Sequence, residues 1–379
     1  MTTPPPPPDG RIRSLDGLRG VAALVVVLHH WLLIARPLLE GTVGWDVISQ
    51  SPVKLLTAGN EAVLVFFVLS GLVVVLPVFK EGFSWMGFLS ARVVRLYGPV
   101  IAALLLSTLL IYLVPRDRST MPEGSWMAET HAESVTWSSF FSQASLVPRQ
   151  YSLNNPLWSL HWELLYSIVM PLAVALALLI RRWALIAVAL CCALSFAGRI
   201  FEQSELLYFP IFFIGTIMAA RMPDLLAWVQ RPRSRWFMPT FAVASVVLLI
   251  ASWLARPIAP SGSELSHALW ALAAPGAAGV VLVSLAWGPV VRLFETKVVQ
   301  WFGKISFSLY LVHVPVLATL AFAIGADQYL LVGAIGIPLS ILIAWAFYQG
   351  VEARIHRMAR RVHRSVAARA RRRAGEVAP

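Results

Sequence analysis

The sequence has few charged residues and almost no cysteine. Only 13% of its 379 residues are Asp, Glu, Lys or Arg, whereas 58% are hydrophobic, and this composition excludes a soluble globular domain. The two cysteines, Cys191 and Cys192, are adjacent in an apolar run, so the chain has no disulfide framework. The sequence also lacks zinc-like His and Cys spacing, a nucleotide-binding loop and the alternation of a β-barrel, so we expect no metal and no barrel.

What the sequence has instead is a series of apolar segments of about twenty residues separated by short charged runs. This pattern predicts an all-α, polytopic integral membrane protein with about ten transmembrane helices. We expect residues 1–10 to form a disordered, proline-rich lead, residues 11–353 the transmembrane domain, and residues 354–379 a basic cytoplasmic tail. The predicted spans lie near 15–35, 61–79, 98–115, 159–180, 183–198, 206–221, 237–254, 266–286, 305–323 and 329–350.

The net charge of +12 reflects membrane topology rather than nucleic-acid binding, because the basic residues stand beside the spans. Basic residues resist translocation, so they accumulate on the cytoplasmic side. With ten spans this rule places both termini in the cytoplasm, and we expect a multi-pass protein of the plasma membrane. Only seven of the 31 Lys and Arg residues then face outward, namely Arg36, Lys54, Arg116, Arg118, Arg149, Arg199 and Arg256.

The first span carries ionisable residues on one face. Arg19 and His30 are eleven residues apart, so on a helix they point within about 20° of each other and are separated by a rise of about 16 Å. Asp16 is placed to pair with Arg19 at i,i+3. Ionisable groups inside a span are costly and usually functional, and a neutral His30 can act as a general base. The alternatives are a signal anchor and a hydrogen-bonded core histidine.

Three further clusters carry polar residues. Arg92 and Arg95 share a face at the cytoplasmic rim, where guanidiniums can hold phosphates or act only as topogenic charges. After Trp158, the residues Ser159, Glu163 and Tyr166 share a helix face, with a structural Glu163–His or Glu163–Arg pair as the alternative.

The last cluster aligns Ser306, Tyr310 and His313 on one face, for interhelical hydrogen bonds or a direct role. The Ser70-Gly71 step favours close helix packing. The aromatic residues of the outer loop, about 116–158, suit segments that lie on the bilayer or cap a cavity.

Together these clusters resemble the membrane acyltransferase-3 family, the ten-span O-acyltransferases of bacterial glycans and natural products. The resemblance covers residues 11–352, while Gly98 interrupts the usual Tyr-Pro step and Leu164-Leu165 replaces more polar residues. No extra extracytoplasmic esterase-like domain is visible. The motifs that match are Arg19 with His30, residues 66–71, Arg92 and Arg95 before Leu96-Tyr97, Trp158 and Ser159 with Glu163 and Tyr166, and residues 306–313.

The resemblance implies an acyltransferase domain over residues 11–353 that takes acyl-CoA, chiefly acetyl-CoA, as its donor from the cytoplasm. It implies His30 as the base or as a covalent acyl carrier, supported by Glu163 and Arg19. Donor phosphates would meet Arg92, Arg95 and Arg13. The acceptor would be a carbohydrate, glycolipid or glycosylated natural product, contacted by Trp158, Ser159, Tyr166, Tyr310 and His313.

A different class of protein also fits the polar residues inside the spans. A transporter or lipid-linked flippase without covalent chemistry needs such groups as well. Both readings involve membrane lipids and neither involves nucleic acid. Labelled acetyl-CoA separates them, because only an enzyme leaves the label in an acceptor.

Overall fold

The computed structural model describes residues 12–148, 150–229 and 231–373, and these residues form helices without any β-strand. The predicted lead, residues 1–10, and the end of the predicted tail, residues 374–379, lie outside the described residues. The predicted all-α fold is confirmed. The α-helices are α1 (Arg13–Leu39), α2 (Val43–Gln50), α3 (Gly59–Val73), α4 (Trp85–Leu113), α5 (Trp126–Thr130), α6 (Trp137–Ala144), α7 (Leu157–Leu179), α8 (Ala184–Ile200), α9 (Ser204–Ala220), α10 (Met222–Val229), α11 (Pro232–Leu249), α12 (Ala251–Leu254), α13 (Glu264–Trp270), α14 (Ala273–Ala286), α15 (Gly288–Phe294), α16 (Lys297–Ile324), α17 (Tyr329–Phe347) and α18 (Ala353–Arg373).

Short turns of other helix types connect some of these elements. A π-helical turn, Tyr348–Glu352, joins α17 to α18. Helix α16 ends at Ile324, and the positive φ of 95° at the following Gly325 lets the chain reverse into the next turn. The 3₁₀ turns are Pro52–Thr57, Leu76–Phe79, Arg118–Thr120, Arg181–Trp183 and Ala326–Gln328.

Eight helical segments of the described chain are long and apolar enough to cross a membrane, which confirms a polytopic membrane protein. Helices α9 and α10 form a ninth candidate if they are one span bent by 72°. The seventh predicted span, 237–254, is only a shorter apolar helix, Trp236–Leu249, because the regular helix stops at Leu249 and a separate turn follows. The eight segments are Arg13–Leu39, Gly59–Phe79, Trp85–Leu113, Leu157–Leu179, Arg181–Ile200, Glu264–Ala286, Lys297–Ile324 and Ala326–Ala370.

The chain divides into two compact units, and the first, called unit 1, contains residues 1–29, 41–76 and 168–306. Its helices α3 and α9 pack closely at Gly71, where a Cβ atom would collide with the backbone of Phe212. Phe67 stacks on Phe212 with ring centroids 4.3 Å apart. The predicted packing role of the Ser70-Gly71 step is therefore what the structure shows.

The second compact unit, called unit 2, contains residues 30–40, 77–167 and 307–379. Helix α4 begins after Ser84, whose hydroxyl accepts a hydrogen bond from the Gly87 amide. Helix α18 packs along α4, because Gly87 and Gly98 leave room for His363 and Ile355. The part of the basic tail that is described is thus a continuous helix on α4, and Gly98, the departure from the family pattern, admits one of its side chains.

Candidate active site

Unit 2 brings His30 and His313 together in its interior. His30 is 7% exposed and His313 is fully buried. Nδ1 of His30 lies 3.1 Å from Nε2 of His313, and Nδ1 of His313 lies 2.9 Å from the backbone oxygen of Leu309. The two histidines therefore form a chain of hydrogen bonds that begins at a helix carbonyl.

The direction of these hydrogen bonds fixes the tautomers. A carbonyl oxygen only accepts, so Nδ1 of His313 carries a hydrogen, and the lone pair of a neutral His313 lies on Nε2. Nδ1 of His30 must then donate to that lone pair. A neutral His30 is left with its own lone pair on Nε2, the nitrogen that can remove a proton from a substrate.

Two hydroxyl groups lie beside the histidine pair, that of Tyr310 on α16 and that of Ser159 on α7. The hydroxyls of Ser159 and Tyr310 are 2.6 Å apart, and the Tyr310 hydroxyl also lies 3.2 Å from the backbone oxygen of Pro156. The ring of Tyr310 lies 6.0 Å from that of His313. The structure thus brings together four of the predicted residues, His30, His313, Tyr310 and Ser159.

Glu163 has a different partner. Its carboxylate lies 2.8 Å from Nη2 of Arg92, with the two side chains 28% and 17% exposed. Nε of Arg92 also donates to the hydroxyl of Ser167. This interhelical ion pair joins α4 to α7, and it is the Glu163–Arg pair that the sequence left open as the structural alternative.

The loop between α4 and α7 places an aromatic side chain against the histidine pair. The Trp126 ring lies 5.2 Å from His30 and 4.6 Å from His131, and Phe322 of α16 lies 6.2 Å from His131. The guanidinium of Arg116 lies 5.7 Å from the same Phe322 ring. Trp137 and Phe141 of the same loop are instead 80% and 63% exposed, so the loop both caps the interior and presents an apolar surface.

The sequence matches the model of the acyltransferase-3 family, described as an acyltransferase domain, over residues 12–349. The chain belongs to the acyltransferase-3 family. It is also 23% identical over 401 aligned residues to O-acetyltransferase PaAT-1 of Phomopsis amygdali, an alignment that covers 87% of this chain and 78% of that protein. No solved structure matches it.

Family membership makes this chain an acyltransferase of the membrane that transfers groups other than amino-acyl groups. It therefore supports the enzyme rather than the transporter or flippase. No group of three potential metal ligands is present among the residues that the structure describes.

The remaining predicted residues of this acyltransferase lie in separate places. Arg19 is half-buried and Arg13 exposed in the part of α1 that belongs to unit 1. Arg95 is exposed on α4, while Trp158 and Tyr166 are half-buried and buried on α7.

One expected contact is missing. Within the described chain, no ion pair joins Asp16 to Arg19. The spacing at i,i+3 permits this pair but does not require it.

Two residues of this region were missed as site candidates. Arg116 was treated only as an outward-facing charge, and His131 was not singled out. A lone histidine in a polar loop has no motif around it, and only the fold shows that it lies against Trp126 and Phe322. The one available signal was Arg116 itself, which follows an apolar span directly.

Proposed function

We propose that this acyltransferase moves an acetyl or other short acyl group from acyl-CoA to a hydroxyl of a carbohydrate or another sugar-containing acceptor. The observation that carries the proposal is the buried His30–His313 pair, which gives His30 a lone pair on Nε2. The similarity to an O-acetyltransferase supports an acetyl donor and an oxygen acceptor.

The proposed reaction begins when the acceptor hydroxyl gives its proton to Nε2 of His30 and its oxygen attacks the thioester carbonyl. The tetrahedral intermediate collapses, the carbon–sulfur bond breaks, and the CoA sulfur takes the proton back from His30. His313 is a positioning residue in this scheme. By accepting a hydrogen bond from Nδ1 of His30, it keeps the hydrogen on Nδ1 and leaves the lone pair of His30 on Nε2. His30 is a positively charged imidazolium only between the two proton transfers. A short-lived charge suits a buried site, because burying a permanent charge is costly.

The donor is proposed to enter from the cytoplasmic side, with both termini on that side of the plasma membrane. Its phosphates would be bound by Arg95 and Arg92. Arg92 is already paired with Glu163, so its guanidinium can share a phosphate only through its remaining donors. Glu163 is proposed to orient Arg92, and through it the donor.

The acceptor is proposed to approach from the outer end of α7. Trp158 and Tyr166 offer aromatic surface there, and the hydroxyls of Ser159 and Tyr310 offer hydrogen bonds close to the histidine pair. Sugar hydroxyls suit such a lining, because each can both donate and accept.

The experiment uses the purified chain in lipid nanodiscs with acetyl-CoA labelled in the acetyl group. Crude glycolipid, glycan and natural-product fractions serve as acceptors, and mass spectrometry locates the new ester. We expect label in an ester-linked product that contains sugar. Label found only in hydrolysed acetate, or in a product without sugar, would contradict the proposed acceptor.

The same assay tests the donor side. The double substitution Arg92→Ala with Arg95→Ala should weaken acetyl-CoA binding at least tenfold, since each phosphate contact to a guanidinium contributes roughly 1.5–3 kcal/mol. The matched control replaces Arg181 and Arg182, an exposed basic pair, and should leave binding unchanged. If both double variants bind acetyl-CoA equally well, Arg92 and Arg95 act only as charges that set the membrane topology.

A further inference from the structure

The loop of unit 2 between α4 and α7 contains a buried cation that has no counter-ion among the residues that the structure describes. Arg116 is 3% exposed, and within that part of the chain none of its three guanidinium nitrogens has a hydrogen-bond partner. Burial lowers its pKa only to about 10, so the side chain is charged at neutral pH. The neighbouring carboxylates are used elsewhere, since Asp117 accepts hydrogen bonds from Ser119 and Glu133 from the amide of Arg118.

His131 supplies a buried acceptor beside this cation. The Thr130 hydroxyl donates its single hydrogen to the backbone oxygen of Trp126 at 2.7 Å. It must therefore accept from Nδ1 of His131, which lies 3.2 Å away. Nε2 of His131 keeps the lone pair, and this atom is buried without a partner. Burial and the charge of Arg116 lower the pKa of His131 to about 3, so the ring is neutral.

These two groups belong to one place. Arg116 and His131 both lie against Phe322, and His131 contacts Trp126, which contacts His30. A ligand that satisfied both would need an anionic oxygen for the guanidinium and an O–H for Nε2 of His131. Arg116 and His131 together therefore suit a ligand that is an anion and also carries a hydroxyl group.

The site lies far from the region assigned to the donor phosphates. Arg92 is near the start of α4 and Arg116 follows its end, and the helix rises about 32 Å between Arg92 and Leu113. That rise is about the thickness of the hydrocarbon core. An anion at Arg116 therefore belongs to a second ligand that approaches from the opposite end of α4.

We propose that Arg116 and His131 form an anion site that binds an acidic group of the acceptor, a carboxylate or a phosphate, next to the hydroxyl that is acylated. This assignment rests on the proposed function, because it names the class of acceptor. Arg116 binds the anionic oxygens, and His131 accepts a hydrogen bond from an O–H of the acceptor. The acceptor is thereby held close to His30.

Two small anions test the site without any acylation. At pH 7 hydrogen phosphate carries both anionic oxygens and an O–H, whereas sulfate carries only anionic oxygens. Thermal melting of the full chain in nanodiscs should show a larger rise in Tm with phosphate than with sulfate at equal ionic strength. Arg116→Met should abolish both rises, and His131→Phe should make the two anions equivalent.

The variants also have an expected effect without ligand. Because an unpartnered buried charge is unfavourable, Arg116→Met should raise the Tm of the ligand-free protein. Arg118→Met, at an exposed arginine two residues away, is the matched control and should change neither the Tm nor the anion response. A lower Tm for Arg116→Met, or a rise in Tm with phosphate that persists in this variant, would overturn the proposed site. If His131→Phe responds to both anions as the native chain does, His131 is not part of the site.

The acceptor class is tested by the charge of the labelled product. Product made from labelled acetyl-CoA should be retained by an anion-exchange resin, and methyl esterification or phosphatase treatment of the acceptor fraction, applied separately, should show which acid is required. Arg116→Met should lower transfer about a hundredfold with unchanged acetyl-CoA binding. A neutral product would overturn the proposal, whereas the absence of any labelled product would count against the proposed function and leave the melting experiment to decide the site.

Discussion

Two buried basic side chains, one in each unit, have opposite surroundings. Lys54 of unit 1 is 2% exposed, and its ammonium bonds the backbone oxygen of Thr57 at 3.3 Å and lies 3.6 Å from the Trp253 ring. Trp253 in turn donates to the buried carboxylate of Glu61 at 2.9 Å, which is within electrostatic reach of Lys54. Arg116 of unit 2 is as deeply buried, and in residues 12–148, 150–229 and 231–373 its guanidinium has neither a hydrogen bond nor a carboxylate partner.

This difference in surroundings distinguishes Lys54, whose charge is compensated within the fold, from Arg116, whose charge we assign to ligand binding. A buried cation beside a buried carboxylate is neutralised in the folded chain, and losing either partner leaves the other uncompensated. A buried cation alone makes the fold less stable and is useful only when a ligand brings the missing charge. Removing a buried charge should therefore destabilise unit 1 and stabilise unit 2.

The largest effect expected on stability at neutral pH is in unit 1. Glu61→Gln should lower the free energy of unfolding by about 3 kcal/mol, because Lys54 then keeps its charge without a carboxylate. Glu40→Gln is the control, since Glu40 belongs to an exposed i,i+4 pair with Arg36 and should cost well under 1 kcal/mol. Chemical denaturation of both variants measures the difference. A stable Glu61→Gln protein would mean that the Glu61 carboxylate does not compensate the charge of Lys54.

The next effect concerns the polar interior of unit 2. His313→Leu should lower kcat about a hundredfold, or roughly 2.7 kcal/mol, because His30 loses the acceptor that orients its ring. The KM for acetyl-CoA should be unchanged. His313→Gln can still donate to Leu309 and accept from His30, so it should recover most of the rate. Equal losses in both variants would reduce His313 to a packing residue.

Acid should destabilise the chain through His131. Its folded pKa of about 3 lies below the ordinary value of 6.5, so the unfolded chain binds the proton first. The stability contributed by the neutral ring is present above pH 6.5 and is lost as the pH falls toward 3, by up to about 1.4 kcal/mol per pH unit. Arg116, and His30 when it is protonated, are the groups whose charge acts on this ring.

The measurement for this prediction is the difference in unfolding free energy between the native chain and His131→Phe across this pH range. The difference should vary with pH because only the native chain carries the imidazole. A pH-independent difference would show that the His131 ring takes up its proton without a penalty in the folded chain.

The smallest expected effect is at the ion pair between α4 and α7. A double-mutant cycle with Arg92→Met and Glu163→Gln should give a coupling energy of about 1 kcal/mol, because both side chains are partly solvated. A coupling energy near zero would mean that Glu163 does not depend on Arg92, which would favour a direct role of Glu163 in catalysis. A coupling of several kcal/mol would place this pair with the buried cluster of unit 1.

Much of the architecture follows from hydropathy alone. Apolar segments of membrane length predict helices, and each predicted span overlaps helical residues of the described chain, although 237–254 runs across the break between α11 and α12 and 266–286 across that between α13 and α14. The bend between α9 and α10 and the early stop at Leu249 depend on packing against neighbouring helices, which periodicity does not encode. The number of complete spans is therefore less predictable than their positions.

The candidate site was predicted in part for a similar reason. Helical spacing puts Tyr310 and His313 on one face, and an imidazole within a span draws attention to His30. Nothing in the spacing shows that His30 and His313 meet, because they are 283 residues apart. The cluster of Arg116, Trp126 and His131 depends on how an irregular loop folds, and loops carry no periodic signal.

The most direct test of the account compares two adjacent histidines. His30→Ala and His29→Ala are made in the same chain, and the transfer of labelled acetyl from acetyl-CoA is measured together with acetyl-CoA binding and Tm. His29 bonds the backbone oxygen of Thr57 in unit 1 and has no part in the proposed chemistry. We expect His30→Ala to lose about a thousandfold in rate with binding and Tm retained, and His29→Ala to remain active. Transfer by His30→Ala within a few-fold of the native rate would contradict the assignment of His30 as the base.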